Sequence, residues 1–404
     1  MKQTIDALMA DLSVARFPER WREFYGEVMA NFDARGCELT DPSYYDRLQA
    51  EYAPFDEELA IFRAAAAEVG KNEPLSRFLA LLARAVADRG EIRADFAALD
   101  MPKDPVGGPS LAYDMLPGLA VASGIPDAVL RMRARGIPEE FVHSAICSIG
   151  KTVNGYRLRY GGNPGFHLFY WHQLTLDGKL FYIGRLQIEF PAVFPSAAVV
   201  YRHRDGRTLA LADGITLHRT GYALGAKNFE DEVGSRTVAI TETENAFCGY
   251  PYDARGYVGQ EAVTLPKDEW TPVLRKGDTV VSIHIPGGSK LDDALVSDTM
   301  VKIREFLAAY FPECAYRAFY CYSWMMDPQL DEMLGDEANI TKFRRRFHPL
   351  TVKSAGRGVY NFIFHRMEAD VPTEELPENT SFERKLKEKF RAGGAIYEMQ
   401  GYFF

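Results

Sequence analysis

The stretch TVVSIHIPGGSKLDDALVSDTMVKIREFLAAYFPECAYRAFYCYSW, Thr279 to Trp324, decides the reading of this chain. Thr279 to Ile285 is β-branched and apolar and predicts a buried strand. Pro286-Gly287-Gly288-Ser289 breaks it. Asp292 or Asp293 stands where a carboxylate accepts the free N–H groups of a helix start. Leu295, Thr299, Ile303, Phe306, Leu307 and Tyr310 then recur every three or four residues, which predicts one apolar helix face. Pro312 ends that helix, and Tyr316 to Tyr322 predicts the next strand. A glycine turn between a strand and a capped helix is suited to holding an anion, because free N–H groups and the helix dipole point at the same place.

The rest of the chain limits what that anion belongs to. Over 404 residues the composition is 47% hydrophobic and 13% aromatic, enough for two or three domains with a large core. The formal charge is −9, which argues against a nucleic-acid partner, since such binding draws mainly on phosphate neutralisation. Arg344-Arg345-Arg346 is a local basic run, read as a solvated helix face. The 5 cysteines are widely spaced, with no CxxC. Reduced thiols and a cytoplasmic protein are expected. MKQTIDALMADLS lacks the pattern of a secretion signal, and no apolar run approaches a membrane span, so no membrane partner is expected.

Residues 1–148 read as a helical N-terminal domain. Phe17, Trp21, Phe24, Tyr25 and Val28 form one apolar stripe, and Leu75, Phe78, Leu79, Leu82 and Val86 another. Ile137-Pro138-Glu139-Glu140 marks a helix start. From Phe166 the pattern turns to strands: FHLFYWHQLTL, then Asp177-Gly178 as a hairpin turn, then KLFYIGRLQIEF. AAVVYRHR, Asp205-Gly206 and RTLALAD repeat the hairpin signal. Residues 225–265 predict a long loop or an extra hairpin. RGVYNFIFHR (357–366) predicts a strand, VPTEELPENTS a surface linker, and ERKLKEKFRAG a charged helix. The fold class expected is α/β (α+β), with the helical domain followed by a mixed β-sheet flanked by helices over 149–404.

Metal chemistry finds little footing. His167 and His172 lie on opposite faces of the expected strand, and His143, His203, His218, His348 and His365 have no partner at ligand spacing, so no metal is expected. No Gly-x-Ser-x-Gly elbow occurs. Cys321 sits among apolar strand residues, as an inert thiol does. HIPGGS is neither a Walker loop nor a three-glycine dinucleotide fingerprint.

It does resemble something else. HIPGG, FLAAYFP, CYSWMMDPQL and ANITKFRRRF together resemble the cofactor-binding core of the GNAT superfamily of N-acyltransferases. More closely, they resemble the GNAT-like C-terminal domain of a two-part bacterial acyltransferase family that also has a helical N-terminal domain and a GRLQ(F/I)E strand, matched here by Gly184–Glu189. The resemblance covers most of the chain. It implies acetyl-CoA or another acyl-CoA as co-substrate, its pyrophosphate gripped by main-chain N–H groups of the Gln/Arg-x-x-Gly-x-Gly/Ala turn. On that pattern His284 takes the first position, Gly287 the fourth and Ser289 the sixth, so His replaces Gln or Arg and Ser the last small residue. Pro286 removes one donor, and Lys290 adds a charge. Ile283, Ile285, Gly287, Gly288, Ser289 and Lys290 form the implied cofactor-binding set.

The same resemblance implies two strands that splay to admit the pantetheine arm. Direct transfer to an amine needs a base for the incoming nitrogen and an acid for the departing thiolate. Glu189, in an apolar strand where its pKa would rise, and His284 are the candidate bases; an ion pair of Glu189 with Arg185, Arg202 or another nearby cation stands equally open. Tyr322 and Ser323 are the candidates at the end of the second strand. Asp327, before Pro328, reads as a helix cap, as does Asn339. Tyr170, Trp171 and Tyr182 suggest an apolar wall. The function implied is transfer from acyl-CoA to a small-molecule or peptide amine. A GNAT-like binding or regulatory protein without catalysis stays open, as does an aminoacyl-donor transferase, which would need a second glycine loop.

Overall fold

The computed structural model describes residues 3–88, 92–167, 169–366 and 371–404, and it divides into two compact units, residues 1–182 and 183–404.

The first unit is helical. Its helices begin where the sequence offers caps. Thr4 accepts the N–H of Ala7 ahead of Ile5–Asp11, Asp41 that of Ser43 ahead of Pro42–Tyr52, and Asn72 that of Leu75 ahead of Glu73–Ala87. The expected stripes are its core. Trp21, Phe24, Tyr25 and Val28 are buried, as are Leu75, Phe78, Leu79, Leu82 and Val86, while Phe17 is half-buried. Glu139–Arg159 is one helix following Pro138, and it runs through residue 148.

The expected strand at 166–176 is instead a helix, Phe169–Leu176. Asp177-Gly178 closes that helix rather than turning a hairpin. Gly178 takes φ +67, its N–H meets the Thr175 carbonyl at 3.0 Å, and the Lys179 N–H meets that of Leu174 at 2.8 Å. These are the two bonds of a glycine C-cap, and an Asp-Gly pair serves that end as readily as a hairpin. Trp171 and Tyr182 are half-buried; the side chain of Tyr170 lies outside the described residues.

The strands are β1 (Leu180–Ile183), β2 (Leu186–Val193), β3 (Ala198–His203), β4 (Thr208–Ala212), β5 (Ile215–Leu217), β6 (Arg236–Val238), β7 (Thr241–Glu242), β8 (Ala246–Pro251), β9 (Val263–Pro266), β10 (Trp270–Arg275), β11 (Thr279–His284), β12 (Phe319–Ser323), β13 (His348–Leu350) and β14 (Met399–Phe403). One sheet runs β1-β2-β11-β12-β14-β13, a second β10-β3-β4-β8-β7 with β9 on β8, and β5 pairs β6. Here Asp205-Gly206 does turn a hairpin, between β3 and β4, with Gly206 at φ +96. The region 225–265 holds β6 to β9 rather than one long loop.

In the first sheet β11 and β12 are parallel neighbours, joined by the helix Asp293–Tyr310. Asp292 caps that helix, accepting from Ala294 and Leu295. Its buried face is Val296, Thr299, Met300, Ile303, Phe306 and Leu307. Leu295, expected on that face, is 42% exposed, because Val296 and Met300 take the inward positions of the first turns.

The opposite face of the sheet packs on β3, β4 and β10 through Ala192, Phe194, Val280, Tyr320 and Tyr402 against Val200, Ala210, Ala212 and Leu274. Residues 357–366, expected as a strand, contain the short helix Gly358–Phe362. β14 lies between β12 and β13 and has no counterpart in the sequence reading.

Candidate functional site

β11 and β12 part at one end. They are in register only at Val281–Phe319 and Ser282–Tyr320. Beyond that point β11 stays paired with β2 as far as His284–Gln187, and β12 with β14 as far as Ser323–Met399. The two central strands therefore diverge while each is held by its outer neighbour. Main-chain groups on the inner edges are left without each other as partners, so an extended polar chain can pair there.

Side chains alternate along a strand, and register carries that alternation across the sheet. Gln187, Glu189, Ser282, His284, Tyr320, Tyr322 and Gln400 share one face. A bulge in β2 opposite Val281 keeps Glu189 and Ala192 on that same side. Ile188, Ile283 and Phe319 face the other way and are fully buried.

The structure brings two of the candidate residues into contact. Glu189 Oε2 lies 3.4 Å from His284 Nε2, with the two side chains 26% and 24% exposed. Ser282 Oγ lies 3.3 Å from the same nitrogen. The ion-pair reading of Glu189 finds its partner in His284 rather than in the two arginines: Arg202 lies over the Phe404 ring, and Arg185 serves the glycine loop.

Tyr322 is half-exposed, and desolvation, then the Glu398 carboxylate, raise its phenol above the usual value. It therefore holds its proton at neutral pH. Ser323 is differently used: its Oγ accepts the Met325 N–H at 3.1 Å and caps the turn Trp324–Met326.

The glycine loop stands open. Gly287 and Gly288 are exposed, and a Cβ built on either meets nothing within 4 Å; Gly288 has φ +89. Ser289 and Lys290 are exposed, Ile285 half-buried. Asp292 already occupies two N–H groups of the following helix, so the free donors of this segment are those of the loop itself.

Beneath it lies Arg185, which sequence reasoning assigned elsewhere. Its Nε donates to the Lys290 carbonyl at 3.0 Å and its Nη2 to the Ser289 carbonyl at 2.9 Å. Its own N–H donates to Thr299 Oγ1 at 3.0 Å. Arg185 is 8% exposed, burial lowers its pKa, and no carboxylate pairs with it among the described residues. A buried cation satisfied by carbonyls leaves positive potential under the loop. The sequence held one signal, an Arg beside the tight Gly184 turn. Its target lies a hundred residues on.

The remaining candidates resolve plainly. Asp327 lies one residue before Pro328, the N-cap of the helix Gln329–Leu334; it accepts the Gln329 N–H at 3.0 Å and the Tyr397 N–H at 2.8 Å, and burial pushes its carboxyl up to about 6. The Asn339 side chain makes no cap bond; Ala338 takes that position. The arginine run is ion-paired rather than solvated. Arg344 and Arg345 hold Asp331, and Arg346 holds Asp293. Cys321 is fully buried, which pushes its thiol up.

His172 lies on a helix and His167 in the segment before it, not on one strand. Thr152 donates to the Ser148 carbonyl, so by the hydrogen-bond pattern it accepts from His172 Nε2 at 2.6 Å; His167 Nε2 accepts from Arg159 at 2.7 Å. His143, read as unpartnered, packs its Nε2 3.4 Å from the Cys147 sulfur one helical turn on. No group of three or more metal-ligating side chains occurs among the described residues, and no described helix is long and apolar enough to cross a membrane.

Similarities to known proteins follow this geometry. No curated protein matches the chain. Among solved structures it is similar to an acyltransferase in complex with decanoyl-CoA and teicoplanin, at 19% identity and TM-score 0.63 over 99% of this chain and 98% of that one. An acyltransferase with CoA and 10C-teicoplanin gives 19%, 0.64, 99% and 98%. One with decanoyl-CoA gives 18%, 0.63, 99% and 99%. At these identities the likeness is one of fold. Residues 180–403, over half the chain, match the GNAT-like C-terminal domain, and the chain belongs to that family.

Proposed function

We propose that this protein is an N-acyltransferase that moves an acyl group from acyl-CoA to an amine by direct attack. The observation that carries this reading is the divergence of β11 and β12 beside an open glycine loop, with a carboxylate–imidazole pair and a phenol on the same sheet face. The solved acyltransferases of this fold, bound to decanoyl-CoA, CoA and teicoplanin, support it. Residues 1–148 form a helical domain of their own, and the protein works in the cytoplasm.

On this reading the main-chain N–H groups of Gly287, Gly288, Ser289 and Lys290 hold the pyrophosphate, aided by the Arg185 charge. The inner edges of Ile283 to Ile285 and of β12 pair with the amides of the pantetheine arm. Main-chain N–H at the divergence faces the thioester carbonyl and stabilises the oxygen as negative charge builds on it. The Glu189–His284 pair takes a proton from the attacking nitrogen, the carboxylate stabilising the imidazolium that forms. Tyr322, which holds its proton, gives it to the departing thiolate. One N–C bond forms, one C–S bond breaks, and the proton released at nitrogen is matched by the one gained at sulfur. The bulk solvent restores Tyr322 and the pair.

The test is calorimetric titration with acyl-CoA, followed by an acyl-transfer assay on mixed amines. Gly287→Glu is the control, because its ordinary φ and open surroundings leave the fold unstrained. Binding weakened by about tenfold or more in that variant is expected from a lost anion grip; equal binding by both proteins rejects the loop assignment. Binding with no transfer to any amine selects the non-catalytic alternative.

A further inference from the structure

Gln187, on the same sheet face, has no use in the scheme above. Gln187 is 5% exposed, and its Nε2 has no hydrogen-bond partner among the described residues. Leaving a buried N–H donor unpaired is costly, and such groups in native folds call for a partner. Gln187 stands in register with His284 and two residues from Glu189 on the same side of β2. No hydrogen bond among the described residues fixes which way its amide points.

Topology decides what it meets. β11 has β12 on one side and β2 on the other. The thioester, on the proposed reading, lies between β11 and β12. Gln187 is on the far side of His284 from that gap. A group resting on Gln187 therefore rests on the base as well, and the molecule that must touch the base is the amine. An N–H donor beside the reacting nitrogen selects an oxygen that can accept.

We infer that Gln187 is a specificity-determining residue that binds a hydrogen-bond-accepting oxygen next to the reacting amine, so the acceptor class is amines bearing an oxygen on a neighbouring carbon rather than plain alkylamines. This rests on the acyl-transfer reading. A matched pair of acceptors tests it: 2-methoxyethylamine and butylamine have the same length and differ at the oxygen. With saturating acyl-CoA, the ratio of their kcat/KM values is measured in the wild type, in Gln187→Leu and in Gln187→Met. Comparing ratios cancels the different basicities of the two amines.

A fall of roughly ten-fold in that ratio, carried by KM for the ether, is expected in both variants, the scale of one hydrogen bond to a substrate polar group. Their thermal midpoints should hold or rise, because an unpaired buried polar group has been removed. An unmoved ratio overturns the inference. So does an equal loss of kcat on both amines, which would assign the amide to the thioester carbonyl. A wild type that transfers to neither amine overturns the acyl-transfer reading along with this one, whereas transfer with an unmoved ratio overturns this one alone.

Discussion

At the scale of single residues, the proposed mechanism works through a pair rather than through one base. Glu189 and His284 are 3.4 Å apart, and groups in such contact act as a unit. Glu189→Gln and His284→Gln should each lower kcat by about 10² to 10⁴, and the double variant should be scarcely worse than the poorer single one. Steady-state kinetics on the three proteins checks this. Multiplying losses would mean two separate roles.

Arg185 makes a different prediction. It shapes the loop through the Ser289 and Lys290 carbonyls and touches no reacting atom. Arg185→Gln should weaken acyl-CoA binding by about tenfold while leaving kcat nearly intact. Titration calorimetry beside kinetics separates the two effects.

At the scale of elements, the glycine turn and the helix behind it can be probed apart. Gly287→Ala should be neutral in thermal unfolding, since its φ is ordinary, whereas Gly288→Ala at φ +89 should cost about 1 kcal/mol. Asp292→Ala removes a cap bound to two N–H groups and should cost about 1 kcal/mol as well. It also frees those donors, so acyl-CoA binding should tighten rather than weaken.

The legibility of the chain sorts by the range of the interaction. Strand, turn, Asp292 cap and helix over 279–310 are local, and the residues announce them. Asp177-Gly178 was misread because one dipeptide fits both a hairpin and a helix end. Only the carbonyls of Leu174 and Thr175 settle which. Residues 357–366 carry strand-forming types yet fold as a short helix, so packing there overrides propensity. β14, MQGYF, has a glycine at its centre and no β-branched residue, so no strand pattern announces it. In the site, Glu189 and His284 were visible as residue types. Their contact, the role of Arg185 and the unpaired amide of Gln187 depend on strand register, which no single segment contains.

At the scale of the whole molecule, acid sensitivity follows from buried imidazoles. Burial pushes His172 down to about 3, and burial with the Arg159 charge pushes His167 down to about 4, against an ordinary value near 6.5. Protonation would place an unpaired donor at the buried Nδ1 of His172 and turn the His167 Nε2 that accepts from Arg159 into a donor facing that cation. Between those values and 6.5 the unfolded chain binds more protons than the folded one, so stability is full above about 6.5 and falls as pH drops through that window.

Asp327, raised to about 6, acts with the opposite sign: its contribution is present at low pH and is lost as pH rises through about 6. Two rings against one carboxyl leave a net loss in acid. Thermal melts from pH 7 to pH 4 should show a falling midpoint, and His172→Gln should flatten that fall. A midpoint independent of pH would remove the imidazoles from the account.

The placement of β14 inside its sheet sets an order of assembly. β12 gains its second neighbour only when Met399–Phe403 arrives, after every other strand has left the ribosome. Until then one edge of β12 is bare, a template for pairing with another nascent chain. The growing chain is thus most vulnerable before Met399–Phe403 is added, and ribosome-bound chains halted after Glu398 should recruit chaperones that the folded protein does not need.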